Sequence, residues 1–325
     1  MNPVIRCLSE SRNILLTTHI NPDGDAVGSL LALGLGLEKW GKSVVMVNTS
    51  PIPAVYRFLP SAERIVQRVP NGIDFDTAVI LDCGNLQRIG EVCRIVNRIG
   101  LVLNIDHHVT NDGFGDVQLV IPQACATAEI VYDLIKIMNI SVDRDMANAI
   151  YTGILTDTGS FRFSNTNAEA FAICQEMATL GVDPYKVAQH VYGTYSLGRI
   201  KLLNLALDSI EISLNGKLSI MTVTQEMLNQ TGTQPEDADG LIHYARRIED
   251  VKVAALIQEL KNGRKESKNS FKNQFHVSLR SDGSVDVGSI AAAYGGGGHQ
   301  SAAGFGMQAP LSDVKSEITT IADKL

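Results

Sequence analysis

Short runs rich in apolar residues recur through the first half of the chain, and helical patterns or polar loops lie between them. These runs predict buried strands at 13–16, 43–47, 77–81 and 101–105. The stretch 30–40 is rich in Leu, Ala and Gly and predicts a helix that packs on the sheet. Apolar strands separated by helical stretches are typical of a parallel sheet covered on both faces. The first half is therefore predicted to be an α/β domain with a mainly parallel sheet flanked by helices.

Helical periodicity dominates the middle of the chain. In 126–138, the residues Ile130, Leu134, Ile137 and Met138 have the spacing of one helical face. Further helices are predicted at 146–155 and 168–180. The segment 187–207 is mostly helical with a break at Gly193, and we interpret 191–210 as a helical linker. This places the first domain at 1–190.

The last part of the chain has a different pattern. Two runs, 211–214 and 218–223, flank Asn215-Gly216 and predict a hairpin. Strands are predicted at 252–259 and 274–279, and helices at 286–293 and 311–325. A chain of 325 residues is long enough for two domains of about 150 residues each. We therefore predict a second, smaller α/β domain at 211–325.

Acids and histidines follow three of the predicted strands. They are His19, Asp23 and Asp25 after the first strand, Asp82 after the third, and Asp106, His107 and His108 after the fourth. Asp157 follows a predicted helix. The carboxyl ends of parallel strands meet at one edge, where open α/β sheets bind ligands. Alone, the first group is equally compatible with turn and helix-capping residues, but the recurrence after three strands favours a site.

Carboxylates with a few imidazoles suit Mn²⁺ or Mg²⁺ better than a thiolate-rich site would. A second metal needs a bridging carboxylate, and Asp82 is the natural candidate. Two metals about 3.5–4 Å apart can clamp a phosphoryl group and lower the pKa of a bridging water. Ser160 lacks the surroundings of a serine nucleophile, and no dinucleotide-binding glycine loop follows the first strand.

Composition narrows the range of partners. The chain has 28 Lys and Arg against 35 Asp and Glu, a net charge of −7, and shows no basic face for long nucleic acid such as duplex DNA. No apolar run approaches the roughly 20 residues that span a bilayer, so no membrane association is expected. The five cysteines are scattered and form no C-x-x-C pair, which predicts reduced thiols and a cytoplasmic protein.

Five motifs carry a family resemblance. They are His19-x-x-Pro22-Asp23-Gly24-Asp25-Ala26-x-Gly28-Ser29, Asp82-x-Gly84-x-x-x-Arg88-x-Gly90, Asp106-His107-His108, Asp157-Thr158-Gly159-Ser160-Phe161, and Gly296-Gly297-Gly298-His299 followed by Ala302-Ala303-Gly304. The first four resemble the motifs of the DHH phosphoesterase superfamily, in the family's order, and the fifth resembles that of the associated DHHA1 domain. The resemblance covers nearly the whole chain. The compact two-domain length of the chain is similar to that of the NrnA-like branch.

The resemblance implies a role for each motif residue. The implied metal ligands are His19 and Asp23 for one Mn²⁺, and Asp25, His107 and Asp157 for the other. Asp82 would bridge the two ions, with Mg²⁺ as the alternative metal. Asp106 would orient a ligating imidazole, and His108 would face the scissile phosphate as a charge stabiliser or proton donor.

The far end of the substrate would be held by the second domain. Gly297, Gly298 and His299 are the implied contacts, since close approach of backbone to phosphate or base requires glycine. Arg280, at the end of a predicted strand, is a candidate for a phosphate or base contact, with a solvated surface position as the alternative. For Arg88, a structural role is the alternative to any contact with substrate.

The resemblance implies hydrolysis of short oligoribonucleotides to nucleoside monophosphates, and of 3′-phosphoadenosine 5′-phosphate to AMP, in a cleft between the domains. The rival within the same fold is a phosphodiesterase for c-di-AMP or pApA. A family II pyrophosphatase would have a different second domain, and a RecJ-type exonuclease would be longer. The rival from outside enzymes is a nucleotide-binding sensor, which would not need six metal-binding side chains. The sequence leaves a homodimer open.

Overall fold

The computed structural model describes residues 3–193, 195–261, 274–298 and 300–324. The chain divides into two compact units, Met1–Thr194 and Tyr195–Leu325. In the described ranges, no helix is both long enough and apolar enough to cross a bilayer.

The first unit alternates strands and helices. Its elements are α1 (Pro3–Glu10), β1 (Asn13–Thr18), α2 (Gly24–Lys39), β2 (Ser43–Val47), β3 (Thr77–Leu81), α3 (Cys93–Val96), β4 (Val102–Asp106), β5 (Val117–Val120), α4 (Thr127–Ile137), α5 (Arg144–Asp157), α6 (Ala168–Thr179) and α7 (Pro184–Tyr192). Single 3₁₀ turns occupy Ala54–Tyr56 and Ala62–Arg64, and a longer 3₁₀ segment spans Leu86–Val92.

The strands form one parallel sheet in the order β2-β1-β3-β4-β5. This confirms the predicted fold class of the first half. β5 escaped prediction because its four residues are interrupted by the polar Gln118 and none of them is buried, so it lacks a continuous apolar run.

Close packing of α2 against α5 positions the start of one helix beside the end of the other. α2 begins where the Asp23 carboxylate accepts a hydrogen bond from the Ala26 N–H at 3.0 Å, the usual N-cap arrangement. A Cβ on Gly28 would stand 2.4 Å from the carbonyl oxygen of Ala149 in α5, so only glycine permits this approach. The start of α2 and the end of α5 are thereby brought together at the carboxyl edge of the sheet.

The second unit is a mixed α/β domain. It contains α8 (Leu197–Asp208), β6 (Glu211–Ile212), β7 (Leu218–Val223), α9 (Gln225–Thr231), α10 (Ile242–Arg246), β8 (Val253–Glu259), β9 (Gln274–Ser281), α11 (Val287–Ala293), β10 (Gly297–Gly298), β11 (Ala302–Gln308) and α12 (Leu311–Thr319). A 3₁₀ turn spans Pro235–Ala238, and a second one, Thr320–Lys324, follows α12. The strand order is β10-β11-β9-β8-β7-β6, with β7 and β8 parallel and the other pairs antiparallel.

The predicted hairpin is β6–β7, and the expected smaller α/β domain is confirmed. The segment predicted as a linker, 191–210, contains the end of α7 and all of α8, whose Leu202 and Ala206 are buried in a core of the second unit. β11 was not predicted, because Ala302, Ala303 and Gly304 have the small-residue composition of a loop. It is a strand because it pairs with β9 along its whole length.

Candidate metal centre

The loop from β1 to α2 supplies the first group of polar side chains. The Nδ1 atom of His19 lies 2.8 Å from the carbonyl oxygen of Ile20, so the Nε2 atom is the one turned towards the neighbouring acids. That atom is 3.6 Å from Asp82 Oδ2 and 4.0 Å from Asp23 Oδ1. The amide of Asn48 donates to the His19 carbonyl oxygen at 2.8 Å and holds the loop against β2. His19, Asp23 and Asp82 therefore converge on one point.

Asp82 follows β3 and lies at the middle of the cluster. It is buried, and its φ of 52° is a left-handed conformation that Asp and Asn tolerate better than other residues with a Cβ. Its Oδ1 atom is 3.8 Å from His107 Nε2 and accepts a hydrogen bond from the Thr127 hydroxyl at 3.0 Å. The two carboxylate oxygens thus face two different histidines, which is the geometry expected of a bridging group.

Asp25 is held by the start of another helix. Its carboxylate accepts hydrogen bonds from the backbone N–H groups of Thr127 and Ala128, at 2.6 and 2.9 Å, and from the Ser29 hydroxyl at 3.1 Å. The N–H groups at a helix start have no partner within the helix, and the helix dipole favours a negative charge there. The start of α4 therefore stabilises the buried carboxylate.

His107 and Asp157 complete the second half of the cluster. His107 Nδ1 lies 3.2 Å from the carbonyl oxygen of Ala124, and its Nε2 is 3.7 Å from Asp157 Oδ2. The Asn165 amide donates to that same carboxylate oxygen at 3.1 Å and also to the carbonyl oxygens of Asp157 and Cys125. Asn165 therefore fixes both the backbone and the side chain at the end of α5.

Asp106 makes two equally short side-chain contacts, with His108 and with Asn111. The Asp106 Oδ1 atom lies 2.6 Å from His108 Nδ1, while Oδ2 accepts from the Asn111 amide at 2.6 Å. The resemblance implied that Asp106 orients an imidazole that ligates metal, which would be His107. In the structure the imidazole is that of His108, because the ring of His107 turns its Nδ1 to the Ala124 carbonyl instead.

Three groups of side chains each bring their ligand atoms within 4.8 Å of one another: Asp82, His107 and His108; His19, Asp23 and Asp82; and Asp25, His107 and Asp157. The predicted ligands are thus brought together. Separations of 3.6 to 4.0 Å exceed ordinary hydrogen bonds, but they suit ligands around one small cation with bonds of about 2.1 Å. The oxygen and imidazole donors match Mn²⁺ or Mg²⁺, so the residues fit the implied metals.

Burial and mutual charge shift the acidity of these groups. Burial, with the charges of Asp82 and Asp157, raises the pKa of Asp25 well above its usual range. Burial raises the pKa of Asp157 to about 7. Although burial works the other way, the Asp157, Asp82 and Asp25 carboxylates raise the pKa of His107 to about 9. Nearby imidazoles hold the pKa of Asp82 far below its usual range against the effect of burial. Such crowding of charge is what bound cations would relieve.

The residues predicted to bind substrate lie in the second unit. Gly297 and Gly298 form β10, and Gly298 has φ +148° with no room for a Cβ beside the Ala302 carbonyl. His299 lies outside the described residues. Arg280 is half-buried on β9, where its Nη1 donates to the Leu279 carbonyl at 2.9 Å. Burial and the neighbouring Arg246 lower its pKa.

Sequence reasoning missed three residues that support the cluster: Thr127, Asn111 and Asn165. Asn111 and Asn165 stand in irregular loops, where asparagine is common for turn reasons alone. Thr127 starts a predicted helix, so its position already had a structural explanation. None of them carried a local signal that could separate a supporting role from a turn or a helix start.

The comparisons with known proteins agree with this geometry. Residues 13–154 match the model described as "DHH family, N-terminal domain", and residues 215–325 match the "DHHA1 domain". The chain is 34% identical over 294 residues to a bifunctional oligoribonuclease and PAP phosphatase NrnA of Thermus thermophilus, covering 90% of this chain and 83% of that one. It is 27% identical over 305 residues to the protein of the same name from Bacillus subtilis, covering 93% and 91%.

Among solved structures, a protein of similar length matches this chain from end to end. It is an exopolyphosphatase-related protein from Bacteroides fragilis, with a TM-score of 0.87 and 25% identity, covering 99% of this chain and 94% of that one.

Proposed function

The chain belongs to the DHH/DHHA1 phosphoesterase family, and from this we propose a Mn²⁺-dependent phosphodiesterase and phosphatase that acts on very short RNA. The substrates we propose are oligoribonucleotides of a few residues, released as nucleoside monophosphates, and 3′-phosphoadenosine 5′-phosphate, released as AMP. Two relatives that match over most of the chain are each named a bifunctional oligoribonuclease and PAP phosphatase, which supports this choice of substrates.

The observation that carries the proposal is the position of Asp82. Its carboxylate faces His19 with one oxygen and His107 with the other, and it is shared by two of the three ligand groups. A single buried carboxylate between two sets of donors is what two adjacent cations require. His19 and Asp23 would hold one, Asp25, His107 and Asp157 would hold the other, and Asp82 would be shared by both.

A pair of bound divalent cations supplies activated water and charge stabilisation for phosphoester hydrolysis. The chain's own contribution is to fix the ligands and to place His108 next to the centre. His108 Nδ1 is held by Asp106 at 2.6 Å, which fixes the orientation of the ring. Its Nε2 is the atom proposed to stabilise the phosphoryl oxygens or to protonate the leaving ribose oxygen.

Recognition of the nucleotide beyond the scissile bond is proposed for the second unit. Gly297 and Gly298 present backbone without side chains, and Arg280 and His299 add groups that can contact phosphate or base. A net charge of −7 disfavours binding of long nucleic acid through many phosphates. Both features favour a substrate of a few nucleotides.

Product analysis tests the proposal. Purified protein loaded with Mn²⁺ would receive pApA, a 24-nucleotide RNA, 3′-phosphoadenosine 5′-phosphate, c-di-AMP and pyrophosphate in parallel, with products separated by ion-exchange chromatography. We expect fast release of AMP from pApA and from 3′-phosphoadenosine 5′-phosphate, with the long RNA and pyrophosphate nearly unchanged. The same protein stripped with a chelator is the control.

Other outcomes would replace the proposal. Preference for c-di-AMP would assign the protein to turnover of cyclic dinucleotides at the same centre. Failure to hydrolyse any of the five compounds, with metal bound, would favour a nucleotide-binding protein without catalytic activity.

A further inference from the structure

Arg88 stands on a short segment that is anchored beside the metal centre. The segment is the 3₁₀ stretch Leu86–Val92, which follows β3 and Asp82. It begins at Asn85, whose side-chain oxygen accepts from the Gln87 N–H at 2.8 Å and whose amide donates to Asp112 at 2.6 Å. Asn85 therefore fixes the start of the segment through two side-chain hydrogen bonds, one within the segment and one to Asp112.

The backbone of Arg88 is bound directly to the loop that carries His19. Its carbonyl oxygen accepts a hydrogen bond from the Ile20 N–H at 2.8 Å, one residue after His19. Two positions later, Gly90 has φ +69°, and a Cβ there would stand 2.7 Å from atoms of Ile20 and Thr49. The segment and the loop thus fit closely, which fixes where the Arg88 side chain begins.

The guanidinium of Arg88 has no structural task that the described residues reveal. The residue is exposed, and within 3–193 its guanidinium makes no hydrogen bond or ion pair. Two other arginines of the same unit do have partners: Arg94 pairs with Glu91 at 3.1 Å, and Arg162 donates to the Gly159 carbonyl. The backbone contact to Ile20 needs no particular side chain, so folding alone does not explain an arginine at position 88.

The charge of Arg88 nevertheless acts on the centre. Although burial works the other way, the hydrogen bond to Asp82 and the charges of Asp23 and Asp82 raise the pKa of His19, and the charge of Arg88 partly opposes this rise. It also acts on Cys83, the residue next to Asp82, where it opposes the large rise in pKa that burial causes. The Arg88 cation therefore stands within electrostatic reach of His19, and the hydrogen bond from the Ile20 N–H to its carbonyl oxygen places it on the His19 side of the cluster.

We propose that Arg88 is a substrate-binding residue whose guanidinium holds the oxygens of the phosphoryl group at the His19 side of the metal centre. The inference rests on the proposed phosphoester chemistry and adds a residue to it. A planar guanidinium can donate two parallel hydrogen bonds to a phosphate, which a lysine cannot reproduce. Because the group is exposed, it can reach an incoming anion without breaking any contact in the protein.

Binding of inorganic phosphate to the Mn²⁺-loaded full chain tests this without requiring turnover. Isothermal titration calorimetry would compare wild type with Arg88→Met, Arg88→Lys and the control Arg94→Met, which removes an exposed arginine six residues away. Metal content of each protein would be measured by mass spectrometry. We expect Arg88→Met to weaken phosphate binding about 10- to 100-fold, the range of a charge-assisted hydrogen bond. Arg88→Lys should be intermediate, and Arg94→Met should match wild type.

The outcomes separate this inference from the proposed function. Wild-type phosphate affinity in Arg88→Met, with normal Mn²⁺ content, would overturn it even if the enzyme hydrolyses every proposed substrate. Loss of Mn²⁺ from Arg88→Met would overturn it too, since Arg88 would then support the metal centre. If the nucleotide substrates are not hydrolysed but Arg88→Met still loses phosphate binding, the inference stands and only the substrate assignment fails.

Discussion

His108 Nδ1 lies 2.6 Å from Asp106 Oδ1, at the end of β4 and within the metal centre. The same carboxylate accepts a hydrogen bond from the backbone N–H of His107 at 2.9 Å. Although burial opposes it, the hydrogen bond from His108 and the charge of that ring lower the pKa of Asp106. Asp106 is therefore an ionised acceptor that fixes the orientation of the His108 ring through its Nδ1 atom.

Replacing Asp106 by Asn should reduce turnover while leaving metal in place. The amide can present its N–H to His108 and favour the wrong ring tautomer, so we expect kcat to fall about 10- to 100-fold with Mn²⁺ content near wild type. Steady-state kinetics and metal analysis on the same sample measure both. Asp116→Asn is the matched control, because Asp116 caps the Val102 N–H at the opposite end of β4. Equal losses in the two variants would contradict the role of Asp106.

Replacing Asp82 by Asn should remove the shared carboxylate with little change to the backbone. Asn tolerates the left-handed conformation at φ 52°, so the variant tests charge rather than folding. If Asp82 bridges, both cations lose a ligand, and we expect fewer than one tightly bound Mn²⁺ per chain and nearly complete loss of turnover. Mass spectrometry of protein dialysed against Mn²⁺-free buffer measures the occupancy. Two tightly bound ions in Asp82→Asn would refute the bridging assignment.

Asn165→Ala should loosen Asp157 as a ligand. The amide donates to the Asp157 carboxylate at 3.1 Å, and residues that orient a ligand typically change metal affinity 10- to 100-fold. We expect weaker Mn²⁺ binding, with the dissociation constant raised by about that factor in calorimetric titrations. Asn167→Ala is the control, since Asn167 caps α6 through the Ala170 N–H and should affect stability but not metal affinity. Unchanged Mn²⁺ affinity in Asn165→Ala would show that Asp157 needs no such support.

Gly28→Ala should destabilise the first unit through the contact between α2 and α5. The new methyl group would meet the Ala149 carbonyl at 2.4 Å, and overpacking of this kind costs about 1–3 kcal/mol. Gly36→Ala in the same helix is the control. Its nearest neighbour is the flexible end of Met146 at 3.2 Å, and alanine favours helix by up to about 1 kcal/mol. The free energy of unfolding, measured in urea, should therefore be higher for Gly36→Ala than for Gly28→Ala. The reverse order would contradict the packing argument.

Much of this arrangement was accessible from sequence because the strands and ligands follow simple rules. β1, β3 and β4 are buried apolar runs, and parallel strands bring their carboxyl ends together, so His19, Asp82 and His107 were predicted to share one edge. The sequence also predicted helix caps: Asp23 is indeed the N-cap of α2. Its Oδ1 atom also lies 4.0 Å from His19 Nε2. The capping and the ligand interpretations of Asp23 are both compatible with the structure.

Contacts set by three-dimensional packing could not be read from the sequence. Which of the adjacent His107 and His108 faces Asp106 depends on how the chain turns after β4, and periodicity does not report that. β11 becomes a strand only because β9 offers a partner along its length, which overrides the loop-like composition of Ala302–Gln308. The local sequence pattern predicts helices and strands well where they are strongly buried. It fails where pairing with a distant segment determines whether a stretch becomes a strand.

Metal affinity should rise with pH, because the metal-free centre retains protons that metal binding must displace. Near pH 7, His107 with a pKa of about 9 is protonated, Asp157 with a pKa of about 7 is half-protonated, and the pKa of Asp25 is raised as well. Ligands bind in their deprotonated forms, so each such proton competes with the cation. The sign is fixed: acidification favours the protonated ligands and weakens binding, and a rise in pH strengthens it.

Calorimetric titration of Mn²⁺ into the metal-free protein measures this effect. At pH 7, repeating the titration in buffers of different ionisation enthalpy should reveal net release of one to three protons. Between pH 6 and 8 we expect the apparent affinity to increase about tenfold per pH unit for each proton released. Asp157→Asn is the informative variant, because an amide has no proton to lose and should release fewer protons per ion. An affinity independent of pH, with no proton release, would mean that the three raised pKa values do not describe the metal-free centre.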